Sequence, residues 1–125
     1  MNHTEHNLQA ACITWFRMQY PTRSGLLFAI PNGAKLAGTP WQRAKTWKRF
    51  EAEGALPGAA DLFMAIPSGD LAGLFIEMKT KQGRQSDTQA AFEAGVVAAG
   101  YGYAMPRSLD EFIRIVKQYL EKGLY

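Results

Sequence analysis

Cysteine and histidine are scarce in this chain, which has one cysteine, Cys12, and two histidines, His3 and His6. A lone cysteine cannot form an internal disulfide, and no further Cys or His pair exists to complete a zinc site. We therefore expect a reducing, cytoplasmic setting in which Cys12 is a small buried hydrophobe. The two histidines lie near the N-terminus, and we expect them to be solvated rather than to bind metal.

Long apolar runs are also missing. No stretch is long enough to span a bilayer, and the first residues lack the basic start and apolar segment of a signal peptide, so we expect neither a membrane nor a secreted protein. The net charge of +3, from 14 Lys and Arg against 11 Asp and Glu, suits a polyanionic partner without identifying one. With 47% hydrophobic residues in 125, we expect one packed domain over residues 1–125.

Hydrophobic periodicity predicts alternating helices and strands. Helical spacing over residues 4–20 ends at Pro21, and residues 41–53 lack Gly and Pro and form an unusually basic helix. The predicted order is helix 4–20, strand 26–30, helix 41–53, strands 60–66 and 73–80, helix 86–99, strand 101–105 and helix 108–122. This order predicts an α/β fold with a mixed central β-sheet flanked by helices.

The two strands in the middle of the chain have a register that their connection predicts. Pro-Ser-Gly-Asp at 67–70 is a tight turn, which favours an antiparallel hairpin. Centring the hairpin on the glycine pairs Leu62 with Ile76 and Met64 with Leu74, so that the apolar side chains of both strands share one face.

Two carboxylates, Asp61 and Glu77, lie directly opposite each other in this register. Like charges at that distance destabilise a sheet, and a divalent cation between them would neutralise the pair. Lys79 lies on the same face of the strand as Glu77, two residues further on. A lysine there can orient or deprotonate a metal-bound water or stabilise charge on a phosphate, while the metal acts as a Lewis acid. The pattern predicts metal-dependent phosphodiester hydrolysis.

A purely structural role for these three residues is the alternative. Asp61 would then begin a strand, and Glu77 and Lys79 would form a solvated face, or Asp61 and Lys79 an ion pair. Glu-x-Lys strings are common and carry little information alone. The remaining residues of the strand are apolar: Leu74, Phe75, Ile76 and Met78. Charges in so buried a strand are costly unless paired or functional, which favours a site.

As a combination, these motifs resemble the VRR-NUC branch of the PD-(D/E)xK nucleases. The matching segments are Gly-Ala-Ala-Asp-Leu at 58–62, Leu-Phe-Ile-Glu-Met-Lys at 74–79, Gln89 at a helix start, Glu5 on the first helix and Ile-Pro-Asn-Gly at 30–33. The family usually has proline before the aspartate, where this chain has Ala60, but that proline shapes the turn and does no chemistry. The resemblance implies a restriction-endonuclease-like αβββαβ core with an inserted basic helix.

The resemblance also implies roles for individual residues. Asp61, Glu77 and the backbone carbonyl of Met78 would bind Mg²⁺ or Mn²⁺, and Lys79 would be the catalytic lysine. Glu5 would reach the metal, often through water, and Gln89 would lie beside the lysine. Capping offers a second explanation for the last two, because Asn2 with Glu5 and Ser86 with Gln89 have the spacing of a helix N-terminus.

Basic side chains in two segments are candidates for binding phosphates. The candidates are Lys81 and Arg84, just after the catalytic strand, and Lys35, Arg43, Lys45, Lys48 and Arg49 in and before the basic helix. Trp41 and Trp47 accompany the second group and would stack on a base or anchor a second subunit. A helix with cationic outer positions and inward tryptophans is the structural alternative.

The function that the resemblance implies is structure-selective DNA cleavage. Short members of this family are often phage-encoded homodimers that cut branched DNA such as four-way (Holliday) junctions, which would place this chain in the host cytoplasm. One small site cuts one strand, so paired cuts need two sites related by symmetry. A DNA-binding module that has lost cleavage is the alternative, and hydrolysis of RNA or another phosphoester is a third hypothesis.

Overall fold

The computed structural model describes residues 3–31 and 36–124. Its helices are α1 (His3–Gln19), α2 (Pro40–Ala52), α3 (Asp87–Ala98) and α4 (Leu109–Lys122), and its strands are β1 (Leu27–Ala29), β2 (Leu62–Met64), β3 (Leu74–Ile76) and β4 (Gly102–Ala104). A 3₁₀ helix, Pro21–Leu26, joins α1 to β1. The predicted order of helices and strands is confirmed. No described helix is long and apolar enough to cross a membrane.

The four strands form one mixed sheet in the order β1-β2-β3-β4. The first two pairs are antiparallel, and β3 and β4 are parallel because α3 carries the chain back between them. This confirms the predicted mixed sheet flanked by helices.

The register of the central hairpin is the one that the turn predicts, since Leu62 pairs with Ile76 and Met64 with Leu74. Ser68 and Leu71 exchange two backbone hydrogen bonds of 3.0 Å around Gly69, whose φ of +58° is readily adopted only by glycine. The turn chemistry and the apolar alternation therefore specify the same pairing.

The regular strands are shorter than the predicted runs 60–66 and 73–80, and β1 is shorter than 26–30. In the middle strands the reason is a side chain: the backbone N–H of Met78 donates to Asp61 Oδ2 at 2.8 Å, in place of a strand carbonyl. The chain nevertheless stays extended, because the N–H groups of Glu77 and Lys79 donate to Ala104 and Pro106 at 2.9 and 3.4 Å. The side chains of Glu77 and Lys79 therefore lie on the same side of the extended chain.

The hydrophobic core lies between one face of the sheet and the helices α1 and α4. Its fully buried members include Cys12, Phe16, Leu62, Met64, Leu74, Ile76, Met78, Phe112, Val116 and Tyr119. The opposite face is aromatic and is covered by α3, where Phe92 packs edge-on against Phe75 at 5.2 Å between ring centroids. Cys12 is a buried hydrophobe, as expected.

Helix α2 is inserted between β1 and β2 and has no buried residue. Only Thr46, Trp47 and Phe50 on one side of it are half-buried, and Trp41 is 71% exposed. The sequence therefore correctly predicts a basic helix here, while its position outside the core is a finding of the structure.

Candidate active site

Asp61 is fixed at the edge of the β2–β3 ladder by its backbone and its side chain. Its carbonyl accepts the N–H of Ile30 at 2.8 Å, and its Oδ2 accepts the N–H of Met78 at the same distance. The side chain is buried. The carboxylate therefore has a defined orientation, held by two neighbouring segments.

Glu77 continues the register of the hairpin and comes next to Asp61. Its side chain is only 3% exposed, and its Oε2 accepts Gln89 Nε2 at 3.0 Å. In the described part of the chain, the buried Oε1 has no hydrogen-bond donor. Gln89 thus holds one oxygen of this carboxylate, and the other oxygen is a buried acceptor.

The environment of Glu77 disfavours its charged form. Burial, then the charge of Asp61 and a hydrogen bond with Asp61 that favours the protonated form of Glu77, raise the pKa of Glu77 from 4.5 to about 8. Lys79 lowers the pKa and the charge of Glu5 raises it. A close carboxyl pair of this kind binds either a proton or a cation.

Lys79 is 9% exposed and lies beside the carboxyl pair. The extended backbone after β3 directs the side chains of Glu77 and Lys79 to the same side, because the two N–H groups donate to the end of β4 and to the residue that follows it by two positions. The charge of this largely buried side chain acts on Glu77, whose pKa it lowers, and this attraction offsets part of the cost of burying a lysine.

Gln89 has both of the roles that its sequence position allows. It forms the capping box of α3, because Ser86 N–H donates to Gln89 Oε1 at 2.9 Å and Gln89 N–H donates to Ser86 Oγ at 3.2 Å. The amide nitrogen of the same side chain donates to Glu77. The two explanations are compatible, because the oxygen caps the helix and the nitrogen holds the carboxylate.

The loop before Asp61 packs tightly against the start of α3. Gly58 has a φ of +86°, and a Cβ there would lie 2.4 Å from the carbonyl of Thr88 and 2.8 Å from Gln89 N. Only glycine allows this approach, which brings Gln89 and the 58–61 segment to the same end of the sheet. Gly58 belongs to the motif that the sequence singled out, and its structural contribution is this close packing.

Glu5 lies on α1, half-buried, and its charge acts on Glu77. One turn further along α1, Gln9 is buried, and its Oε1 has no hydrogen-bond partner among the described residues. The alternative explanation of Glu5 by capping involves Asn2, which lies outside the described residues. The structure thus places the acid of the first helix within electrostatic reach of Glu77.

The residues of this site fit a hard divalent cation. Asp61 and Glu77 are adjacent, and Glu77 Oε1 is an acceptor without a donor. The N–H of Met78 points to Asp61, and because the N–H and C=O of an extended residue point the same way, its carbonyl lies on that side too. In residues 3–31 and 36–124, no group of three His, Cys, Asp or Glu side chains is placed to hold a metal ion. Glu5 is therefore not a third direct ligand beside Asp61 and Glu77. Two carboxylates with water as the other ligands suit Mg²⁺.

The loop after Lys79 is held by an arginine that sequence reasoning missed. Arg107 Nη1 donates to the carbonyls of Thr80 and Gly83 at 2.7 and 2.6 Å, and to that of Lys81 at 3.4 Å. Lys81 and Arg84, the predicted phosphate-binding residues of this loop, are both exposed. No sequence signal identifies Arg107, because its partners are backbone carbonyls more than twenty residues away.

Tyr103 is a second residue that the sequence did not single out. It pairs with Phe75 in the parallel ladder and is buried. Burial raises the pKa of its hydroxyl to about 12, and the charges of Glu77 and Asp61 contribute, so the hydroxyl lies near the carboxyl pair. Its position opposite Phe75, on the strand parallel to β3, is the signal that would have found it.

The predicted phosphate-binding residues of α2 form a separate surface. Lys45, Lys48 and Arg49 are exposed, and none of the hydrogen bonds or charges described for Glu77 involves α2. Arg43 is exposed too, and its Nη1 donates to the carbonyl of Gly38 at 2.6 Å. Lys35, also predicted to bind phosphate, lies outside the described residues.

Comparison with solved structures identifies the fold. The chain is similar to a protein described as "VRR_NUC domain protein", with a TM-score of 0.78 and 22% sequence identity over 98% of this chain and 93% of that one. The chain has a VRR_NUC fold. No family model and no curated protein sequence matches it. The predicted resemblance is thereby confirmed for the restriction-endonuclease-like fold, in which the carboxyl pair lies at one end of the sheet.

Proposed function

We propose that this protein is a Mg²⁺- or Mn²⁺-dependent endonuclease that hydrolyses phosphodiester bonds in DNA, with a preference for branched substrates such as four-way junctions. The observation that carries the proposal is the buried pair Asp61 and Glu77, with Lys79 beside it, in a nuclease fold. Burying three ionisable side chains at one end of the sheet costs stability, which function explains better than folding does.

Asp61 and Glu77 would hold the metal ion, with the Met78 carbonyl as a third protein ligand. When bound, the ion supplies Lewis-acid activation of the phosphate and lowers the pKa of water. The protein fixes the ligands beforehand: Met78 N–H holds one oxygen of Asp61, and Gln89 holds one oxygen of Glu77. Glu5 would act from a greater distance, through water.

Lys79 would complete the site by positioning the attacking water and by stabilising negative charge that develops on the phosphate. An ammonium group in a buried position interacts more strongly with that charge than a solvated one. Lys81 and Arg84 would bind the neighbouring phosphates, on the loop that Arg107 fixes. These groups would orient a phosphodiester against the carboxyl pair.

A homodimer follows from the geometry of the reaction that we propose. One site of this size cuts one strand, and paired cuts across a junction need two sites related by a twofold axis. We therefore propose that two copies act together on one branched DNA.

The test is cleavage of a labelled four-way junction beside linear duplex, single-stranded DNA and RNA, each with Mg²⁺, Mn²⁺ or EDTA. We expect metal-dependent cutting of the junction by the native protein, loss of cutting in Lys79→Ala, and no change in Lys117→Ala, which removes an exposed lysine of α4. Tight junction binding by the native protein without cutting would instead support a binding module, and cutting of RNA alone would refute the DNA substrate.

A further inference from the structure

One exposed face of α2 combines an aromatic ring with three cations. Trp41, Lys45, Lys48 and Arg49 have the spacing i, i+4, i+7 and i+8, which places them on one side of the helix, and all four are exposed. We call this face the α2 stripe. Trp41 and Lys45 are in contact, with Lys45 Nζ 5.3 Å from the ring centroid.

The helix that carries the stripe is stabilised locally at its first turn. Thr39 and Gln42 form a capping box, with hydrogen bonds of 2.8 and 3.2 Å, and Pro40 occupies the first turn. Arg43 adds a hydrogen bond to Gly38. The position of Trp41 is therefore defined by the helix start and does not depend on core packing.

The half-buried side chains of α2 all lie in its C-terminal half. Phe50 lines an apolar cavity of about 440 Å³ together with Phe75 and Phe92 of the aromatic face. Trp41 lies nine residues before Phe50, which is about 14 Å further along the helix axis. Trp41 thus lies outside the part of α2 whose side chains are half-buried.

The two tryptophans of α2 differ in a way that the sequence does not show. Trp47 is half-buried on the inner side, whereas Trp41 is 71% exposed. A large aromatic side chain costs free energy when it stays in water, and on a basic helix it is suited to a partner that offers both negative charge and flat rings.

We propose that the α2 stripe binds unpaired DNA at a branch point, with Trp41 stacked on an unpaired base and the three cations on the adjoining phosphates. The inference rests on the proposed function only in taking DNA as the substrate. In an intact duplex each base is stacked between its neighbours, so that Trp41 reaches a base face only where pairing is interrupted. Trp41 then separates branched DNA that offers an unpaired base, such as a flap, from linear duplex.

A second copy of the chain fits this surface poorly. An isologous contact places the same patch on both sides of a twofold axis, which would bring the three cations of the stripe close to the same three cations of the second copy. Like charges brought together in this way disfavour the contact. DNA complements the charge of the stripe, and a twofold contact through the same face does not.

The experiment measures DNA binding without cleavage, by fluorescence anisotropy in EDTA at fixed salt. The probes are a fully paired duplex and the same duplex with a single-stranded flap. We expect Trp41→Ala to weaken flap binding by about 5- to 160-fold, which is the ~1–3 kcal/mol of one base–aromatic stack, and to leave duplex binding within about twofold. Trp41→Phe should retain most of the affinity, and Met18→Ala, which removes an exposed apolar side chain of α1, should change nothing.

Equal losses on both probes, or no loss on either, would overturn the inference, as would a change in oligomeric mass caused by Trp41→Ala. The outcome separates the two proposals. Flap-selective loss in a protein that never cuts DNA would support the stripe and refute the nuclease, whereas Lys79-dependent cleavage with unchanged flap binding in Trp41→Ala would refute the stripe alone. Circular dichroism should show that all variants are folded.

Discussion

The end of the sheet and helix α2 both carry charged side chains, but in opposite environments. Asp61, Glu77 and Lys79 are at most 9% exposed, and both carboxylates have a fixed hydrogen-bond donor. The cations of α2 are exposed and solvated. Charges that are buried and held have a geometry suited to chemistry, whereas exposed charges act through attraction at a distance. The activity of the buried group should therefore change when a single atom is replaced. Binding by the α2 cations should depend only on their total charge.

The largest expected effect comes from replacing Glu77 with the isosteric amide. Glu77→Gln keeps an acceptor for Gln89 but removes the charge that we assign to metal binding, so cleavage should fall by about 10²-fold or more. The same change should stabilise the protein in EDTA, because it removes a carboxyl group whose charged form is disfavoured by burial and by Asp61. Cleavage rates and thermal melting measure the two effects. Glu121→Gln, an exposed change on α4, is the control. If Glu77→Gln cut DNA as fast as Glu121→Gln, the buried carboxylate would have no special role in cleavage.

The raised pKa of Glu77 predicts that the stability of the protein depends on pH. The folded protein holds this proton up to about pH 8, whereas the unfolded chain releases it near 4.5. Between these values the folded state binds more protons, so in EDTA the free energy of unfolding should decrease as the pH rises, by at most about 1.4 kcal/mol per pH unit. Urea unfolding at pH 5 and pH 8 tests this. Glu77→Gln should lose this slope, and an unchanged slope in the variant would contradict the assignment.

Gln89 allows capping and active-site support to be separated. Gln89→Glu keeps an oxygen for the helix cap but loses the amide donor to Glu77 and adds a negative charge, so we expect cleavage to fall about 10- to 100-fold. Ser86→Ala should cost about 1 kcal/mol of stability and leave cleavage nearly unchanged. Chemical denaturation and cleavage rates distinguish the two variants. If Gln89→Glu and Ser86→Ala changed stability equally and cleavage equally, Gln89 would be only a helix cap.

Arg107 should have an intermediate effect, since it acts on the loop after Lys79 and not on the reacting atoms. Arg107→Ala removes three hydrogen bonds to loop carbonyls, so we expect about a tenfold loss of kcat/KM that lies mainly in KM. Arg107→Lys should recover only part of the lost kcat/KM, because an ammonium group lacks the planar arrangement of donors in the arginine guanidinium. Arg114→Ala, on the exposed side of α4, is the control. A loss confined to kcat would place Arg107 in the chemistry instead.

The smallest effects belong to the cations of α2. Lys45→Ala combined with Lys48→Ala should weaken binding to all DNA by a few fold and reduce the slope of log affinity against log salt by about one for each lysine that contacts a phosphate. Stability should not change, because both side chains are exposed. Anisotropy titrations at several salt concentrations measure the slope. An unchanged slope would show that these cations do not contact phosphates.

Much of the fold follows from local sequence signals. The turn at 67–70 and the apolar alternation specify the hairpin register, and that register places Asp61 beside Glu77. Ser86 and Gln89 mark the start of α3. These predictions succeed because periodicity and capping depend on residues close in sequence.

What the sequence does not reveal depends on contacts between distant segments. The regular strands end early because the Asp61 side chain takes the Met78 N–H, and Arg107 binds carbonyls of a loop that lies far from it in sequence. Helical spacing also cannot tell which tryptophan of α2 is exposed, since this depends on how the helix is placed. The roles of the site residues remain predictions that need the experiments above.

The most direct test of the central claim is calorimetric titration of the native protein, Glu77→Gln and Asp61→Asn with Mn²⁺. We expect saturable binding to the native protein, at least tenfold weaker binding to either variant, and unchanged binding to Glu121→Gln, because only the first two lose a carboxylate of the buried pair. Equal Mn²⁺ affinity in all four proteins would contradict a metal site at Asp61 and Glu77 and leave the pair without its proposed chemistry.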